Sequence, residues 1–246
     1  SVVFGDLYSP HQLGTYPIAD APTSVQEPMP LENTGNMLFM LLAIVQKADS
    51  SGEEDSSWFY PKYWPMLRTW ADELVRTAEF PADQLCTDDF TGRLANNTNL
   101  GAKGILALET FAELCRVLGA KSTTNCTFYS ETARKYAQVW QEYAFDDDHY
   151  KMSFNPVSGV SDSWSLKYNL IWQKILTLLH PPFPWDKVIS RELAYYAKRS
   201  NAYGVPLDPR HTYVKTDWLS WAAAMASTVD HTGKDEDFHF IMDPIF

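Results

Sequence analysis

Helix-forming segments of two kinds alternate along the chain, and this alternation constrains the fold more than any other feature of the sequence. Some segments are apolar on most sides, whereas the segments between them carry apolar residues on one face only. The apolar segments are residues 37–48, 101–119, 166–179 and 217–228, and the amphipathic segments are residues 58–79, 130–143 and 186–199. No series of strand-like segments accompanies them. The pattern predicts an all-α fold in which helical hairpins form a ring, with inner helices buried on most sides and outer helices buried on one face.

A group of polar residues precedes each apolar segment, at residues 32–36, 86–99, 162–165 and 208–217. If the apolar segments are the inner helices of a ring, these groups emerge at the same end and line one pocket. The richest group, Cys86 to Asn99, leads into the helix predicted over 101–119, where unpaired N–H groups and the helix dipole can hold carboxylates and amides in place. A simpler interpretation stays open, in which Asp88, Asp89 and the asparagines only form turns and caps.

Composition limits the possible partners. The chain of 246 residues is 45% hydrophobic and carries a formal charge of −11 without a basic patch, which argues against binding to nucleic acid or to an anionic membrane surface. No apolar run approaches the roughly 18 residues of a transmembrane helix. We predict one domain over residues 1–246, with a loop-rich N-terminal segment (1–36), helical hairpins (37–229) and a tail without clear pattern (230–246). The expected ligand is a small polar molecule.

The cysteines and the glycosylation sequons bear on the cellular compartment. Sequons begin at Asn96 and Asn125, which makes both asparagines candidates for glycosylation in a secreted protein, and the residues that follow Ser1 do not have the pattern of a signal peptide. Cys115 and Cys126 are placed to form a disulfide between two helices, leaving Cys86 free or paired outside this chain; three buried thiols are the alternative. The histidines are too scattered for a zinc site, and we predict neither a metal nor a cofactor.

Six blocks of residues occur in an order typical of one protein family. They read PHQLGTYP (10–17), MPLENTGNM (29–37), TDDF (87–90), WSLKYN (164–169), YGVPLD (203–208) and KTDW (215–218). Over roughly residues 5–230 the chain resembles the fungal glutaminase A family in its central six-hairpin, glycosidase-like domain. The resemblance implies an all-α, partial (α/α)6 toroid, a secreted fungal protein, and hydrolysis of glutamine to glutamate and ammonia. Six hairpins need more helices than the seven predicted, so the chain looks like a portion of a longer protein, partnered by the remainder of that protein or by further copies of itself.

Amide hydrolysis needs a base that activates water and an acid that protonates the leaving group, and carboxylates in unlike environments can serve as both. The catalytic candidates are Glu32, Asp88 and Asp89, with Asp88 or Glu32 as the base and Asp89 positioning substrate or capping the helix. Candidates for substrate binding are His11, Trp164, Lys167, Tyr168, Asn169, Asp208, Arg210, Lys215 and Asp217. Two other functions stay open: a carbohydrate-binding or glycosidase-like protein with the same kind of pocket, and an inactive fragment.

Overall fold

The computed structural model describes residues 6–11, 17–18, 28–51, 62–119, 124–226 and 236–245. Within these residues the chain forms eight α-helices and one small antiparallel sheet, so the prediction of an all-α fold is confirmed. The helices are α1 (Pro30–Ser51), α2 (Trp64–Thr77), α3 (Thr98–Val117), α4 (Cys126–Ala144), α5 (Ile171–Ile175), α6 (Trp185–Arg199), α7 (Thr216–Ala226) and α8 (Glu236–Met242). The strands are β1 (Phe145–Asp146) and β2 (His149–Tyr150).

Helix α3 is the centre of the fold, and α1, α2 and α4 pack around it. Nearly every residue of α3 is buried, whereas α2, α4 and α6 each bury one face, as expected for inner and outer helices. Gly104 lets the end of α2 approach α3 closely, because a Cβ atom at this position would lie only 2.7 Å from the Cβ atom of Ala78. The side chain of Asn97 begins the helix by accepting a hydrogen bond from the Leu100 N–H at 3.1 Å.

A disulfide closes the hairpin of α3 and α4. Cys115 and Cys126 are bonded, with their Cα atoms 5.6 Å apart, whereas Cys86 is a buried free thiol. Of the two arrangements that the sequence left open, the structure therefore has the disulfide.

The first helix begins earlier than predicted. Helix α1 starts at Pro30 rather than Met37, so residues 32–36 form its first turns instead of a loop, and the loop-rich N-terminal segment is correspondingly shorter. Proline is well tolerated in a first helical turn. Gly35 lets the aliphatic part of Lys103 pack closely against the helix, because a Cβ atom at this position would lie only 2.9 Å from the Lys103 Cγ. The second predicted helix begins at Trp64 rather than at residue 58, and residues 58–61 lie outside the described part of the chain.

The helix predicted over residues 166–179 is the largest error. Leu166 lies in an extended segment and donates its N–H to the carbonyl of Leu207 at 2.9 Å. A short 3-10 turn (Tyr168–Leu170) and the five residues of α5 follow. The helix ends before Thr177, whose φ of +47° lies in the left-handed region. Contact with the 200–215 loop thus replaces helical hydrogen bonds at the start of this segment, and it brings residues 164–169 to the site described below.

One further segment differs from the prediction. The tail, predicted to lack a clear pattern, contains α8. The acidic run at residues 146–148 lies at the turn of the β-hairpin, in which Asp146 pairs with His149. None of the helices within the described residues is both long and apolar enough to cross a membrane.

Candidate active site

A small polar pocket opens at the amino-terminal end of α3, where three loops meet. The loop before α3 contributes Asp88, the segment after β2 contributes Ser165, and the loop between α6 and α7 contributes Asp208 and Arg210. The space deep in the pocket measures about 20 Å³, room for about one ordered water molecule, and the pocket is open to solvent on its outer side. Three of the four polar groups marked in the sequence therefore meet here. The fourth, residues 32–36, contributes no side chain to the described lining.

Asp88 is one of two buried carboxylates in the described pocket lining, with 7% of its surface exposed against 4% for Asp208. Tyr168 donates its hydroxyl to Oδ2 at 2.6 Å, and the Trp218 indole N–H donates to Oδ1 at 2.9 Å. The two rings stack on each other with their centroids 4.4 Å apart, which fixes both donors. Thr91 holds the backbone of Asp88 by donating its hydroxyl to the Asp88 carbonyl at 2.7 Å. Both carboxylate oxygens keep a lone pair for a further donor such as water.

Burial raises the pKa of Asp88 from 3.8 to about 6. The hydrogen bonds from Tyr168 and Trp218 oppose this rise because they stabilise the carboxylate, whereas the negative charges of Glu32 and Asp208 add to it. The pKa of Tyr168 is raised well above 10, so its hydroxyl stays protonated and remains a donor at neutral pH. At pH 7 Asp88 is therefore ionised, with a proton affinity well above that of an ordinary aspartate.

Asp208 and Arg210 form a two-pronged ion pair at the pocket wall. The Arg210 Nε and Nη2 atoms donate to the two carboxylate oxygens of Asp208 at 3.0 and 2.6 Å. Arg210 also donates from Nη1 to the carbonyl of Thr91 at 3.3 Å, which links this loop to the loop that carries Asp88. Arg210 is half-buried and is the cation among the described lining residues.

Asparagines connect the start of α3 to the segment after β2. Asn99 Oδ1 accepts a hydrogen bond from the backbone N–H of Asn169 at 3.2 Å. The side-chain amide of Asn169 in turn donates a hydrogen bond to the backbone carbonyl of Asn99 at 3.2 Å. Asn97 caps α3 and directs its amide toward the sulfur of Cys86 at 3.7 Å. Asn169 therefore holds the pocket wall in place, and its buried Oδ1 has no hydrogen-bond partner within the described residues.

Lys167 is wholly buried behind the pocket. Its Nζ donates to the carbonyls of Tyr150 and Ser165, both at 2.9 Å, and to the hydroxyl oxygen of Ser165 at 3.0 Å. Glu192 lies 3.9 Å away. Burial lowers the pKa of Lys167 to about 8, against the opposing attraction of the Glu192 and Asp208 carboxylates. Lys167 is linked to the pocket by its hydrogen bond to the Ser165 hydroxyl.

Glu32 forms a second buried ion pair, with Lys103 of α3. The Lys103 ammonium lies 2.5 Å from Oε1, both side chains are 3% exposed, and Asn36 donates to the same oxygen at 3.2 Å. The other oxygen, Oε2, has no partner in the described part of the chain. Glu32 is thus neutralised by Lys103, and its effect at the pocket is to raise the pKa of Asp88.

The other predicted site residues lie elsewhere. Asp89 is exposed at the start of a 3-10 turn, and His11 is exposed with its Nδ1 3.3 Å from the Asn33 amide. Trp164 is buried against the edge of Tyr195.

Lys215 and Asp217 pair with each other at 3.4 Å, and Lys215 lies over the Phe90 ring at 5.2 Å. Neither side chain belongs to the described lining of the pocket. Of the two sequon asparagines, Asn125 is exposed but caps α4, and Asn96 is half-buried with a φ of +57°.

Sequence reasoning missed three contributors to the site: Ser165, Trp218 and Lys103. A lysine inside an otherwise apolar helix signals a buried ion pair, so Lys103 could have been found. The spacing of Trp218 is that of a core residue. Ser165 belongs to the polar group at residues 162–165, but nothing in the local sequence distinguishes it from the other members of that group. No group of residues within the described ranges could hold a metal ion.

The glutaminase A six helical-hairpin domain matches residues 1–238. The chain belongs to this family. It is 35% identical over 230 residues to glutaminase A of Aspergillus oryzae, in an alignment that covers 91% of this chain and 31% of that protein. It is 26% identical over 298 residues to a probable glutaminase of Arthroderma benhamiae, covering 89% of this chain and 34% of that protein. The chain therefore spans about a third of the length of the curated relatives it matches.

Proposed function

We propose that the pocket hydrolyses the side-chain amide of glutamine to glutamate and ammonia, with Asp88 as the general base. The observation that carries the proposal is the environment of Asp88, a buried carboxylate with a pKa of about 6 in a polar pocket. The ideal pKa of a catalytic base lies near the working pH. The relatives named as glutaminases support amide hydrolysis as the reaction.

In the proposed mechanism the ionised Asp88 accepts a proton from a water molecule in the pocket, and the resulting hydroxide attacks the amide carbon. The tetrahedral intermediate collapses when the C–N bond breaks. Asp88 then returns the proton to the departing nitrogen, so that ammonia leaves and the carboxylate is restored. Tyr168 and Trp218 keep the carboxylate in one orientation throughout.

Arg210 is the proposed partner of the substrate's α-carboxylate. A guanidinium matches the planar geometry of a carboxylate. Asp208 accepts two hydrogen bonds from the guanidinium of Arg210 and a third from the Arg210 backbone N–H at 2.9 Å. The fixed orientation reduces the entropy lost when substrate binds.

The pocket favours a small polar substrate over a sugar. Sugar sites commonly offer an exposed aromatic face for a pyranose ring. The rings nearest to Asp88, Tyr168 and Trp218, are instead stacked on each other, and no aromatic side chain belongs to the described lining. The Cys115–Cys126 disulfide supports the further proposal that the protein is secreted, because disulfides persist in oxidising compartments.

The test is the release of ammonia from L-glutamine by the purified chain, with L-asparagine, one methylene shorter, as the competing amide. Asp88→Asn is expected to lower kcat/KM by about 10²- to 10⁴-fold, the usual contribution of a general base. Asp89→Asn is the matched control, since it makes the same change at the exposed neighbour and should alter turnover little. Equal activity of the two variants would refute the role of Asp88, and binding to a glycan array without ammonia release would favour the carbohydrate alternative.

A further inference from the structure

The hydroxyl of Ser165 lies between the pocket and a buried ammonium. Ser165 is half-buried and, like Asp88, belongs to the lining of the pocket. Its Oγ is 3.0 Å from the Nζ of Lys167, which has no exposed surface at all. The serine therefore connects Lys167 with the space that a substrate would occupy.

The hydrogen-bond inventory of Lys167 determines the direction of the Ser165 hydroxyl. A protonated lysine has three N–H donors and no lone pair. The carbonyls of Tyr150 and Ser165 and the Ser165 hydroxyl oxygen take up these three donors. The hydroxyl oxygen must therefore accept, and its own hydrogen points away from Lys167. The described residues offer this hydrogen no acceptor, so it is available to a ligand in the pocket.

A hydroxyl that accepts from an ammonium is also a stronger donor, because linked hydrogen bonds polarise one another in a low-dielectric site. Two carboxylates favour the charged form of Lys167. Glu192 faces it from α6 at 3.9 Å, and Asp208 acts on it from the loop between α6 and α7. Glu192 is itself fixed by the Tyr150 N–H at 3.0 Å and the Tyr196 hydroxyl at 2.7 Å.

We propose that Ser165 donates its hydroxyl hydrogen to the substrate's amide oxygen and stabilises the negative charge that develops there, and that Lys167 is the positioning residue that orients this hydroxyl. The inference deepens the proposed glutaminase function and rests on it. Removing one such donor typically lowers kcat by 10²- to 10³-fold. The transition state carries more charge on this oxygen than the bound substrate does, so the effect falls on kcat rather than KM.

The protonation state of Lys167 gives the proposal a second readout. A neutral Lys167 could still donate to the two carbonyls, but its lone pair would accept the Ser165 hydrogen and withdraw it from the pocket. Because the pKa of Lys167 is about 8, activity should fall as the pH rises through that value. Together with the rise through about pH 6 expected for Asp88, the profile should be bell-shaped with an optimum near pH 7.

The experiment measures kcat and KM for L-glutamine from pH 5 to pH 9.5 in the wild-type chain, Ser165→Ala and Ser165→Thr, with far-UV circular dichroism to verify folding. Ser165→Ala should lower kcat about 10²-fold, leave KM nearly unchanged and lose the alkaline limb. Ser165→Thr retains a hydroxyl and should recover most of kcat.

Wild-type kcat in Ser165→Ala, or an alkaline limb that persists in this variant, would overturn the inference while the proposed function stands. An activity that increases as the pH rises through 8 would also overturn it. Such an increase is expected if a neutral Lys167 activates Ser165 as a nucleophile. A wild-type chain that releases no ammonia would overturn the proposed function and this inference together.

Discussion

Replacing Asp88 by asparagine should stabilise the fold at neutral pH while it removes activity. The folded protein raises the pKa of Asp88 from 3.8 to about 6, so protonation is favoured in the folded state. The stability gained from that proton is fully present below pH 3.8 and is lost as the pH rises through about 6. At pH 8 the ionised, buried carboxylate therefore costs about 3 kcal/mol relative to its protonated form, at 1.36 kcal/mol per pKa unit.

Asparagine fits the same hydrogen bonds with one adjustment. The Trp218 indole can only donate, so the amide oxygen must face it, whereas the Tyr168 hydroxyl can accept from the amide nitrogen. The variant should consequently keep both contacts without carrying a charge.

The assay is urea unfolding followed by far-UV circular dichroism at pH 8 and pH 4.5. Between these pH values the contribution of Asp88 to the wild-type free energy of unfolding changes by about 2 kcal/mol. The gain of Asp88→Asn over the wild type should therefore be about 2 kcal/mol larger at pH 8 than at pH 4.5. Comparing the two pH values cancels any change in packing, which is the same at both.

Asp89→Asn is the control, because it removes a neighbouring but exposed carboxylate and should give equal differences at both pH values. The reasoning is refuted if Asp88→Asn changes stability equally at pH 8 and pH 4.5, since Asp88 would then titrate alike in the folded and unfolded chains.

Three other predictions test the site and the fold. Tyr168→Phe removes a hydrogen bond to the Asp88 carboxylate, a bond to a charged group that is worth about 1.5–3 kcal/mol. The pKa of Asp88, measured as the acid limb of the pH dependence of kcat/KM, should therefore rise by about one to two pH units. An acid limb at the same pH as in the wild type would contradict this prediction. Lys103→Met removes the ion-pair partner of the buried Glu32 carboxylate and should lower the free energy of unfolding in urea by about 3–5 kcal/mol. A loss below about 1 kcal/mol would contradict this prediction. Gly104→Ala overpacks the contact with the end of α2 and should destabilise the protein by about 1–3 kcal/mol. Gly101→Ala is the matched control: the atoms nearest to its new Cβ lie at 3.6 Å, and the variant should stabilise the protein by about 0.5–1 kcal/mol. A melting temperature of Gly104→Ala above that of Gly101→Ala would contradict the predicted overpacking.

Local patterns in the sequence predicted several of the helices. The helix over 101–119 and the amphipathic helices over 130–143 and 186–199 correspond to α3, α4 and α6 within a few residues, because a buried stripe at helical spacing identifies such helices. The helix over 166–179 was wrong because the backbone of Leu166 bonds to Leu207, a partner about forty residues away that periodicity does not register.

Among the predicted catalytic carboxylates, the sequence left either Glu32 or Asp88 as the base and gave Asp89 a positioning or capping role. Tertiary contacts separate them: Glu32 is paired with Lys103, Asp89 is exposed, and Asp88 is buried between two donors. A pKa depends on the groups within a few ångströms in space, so residues adjacent in sequence can differ completely.

The order of apolar and amphipathic segments by itself determined the all-α class, and the spaced residue blocks determined the family. Which side chains enclose the pocket, and that Lys167 lies behind Ser165 rather than within the pocket, was decided by the tertiary structure alone. The physical reason is the range of the interactions: helix formation and burial follow from neighbours three and four residues apart, whereas the charge and orientation of a buried group depend on contacts from distant parts of the chain.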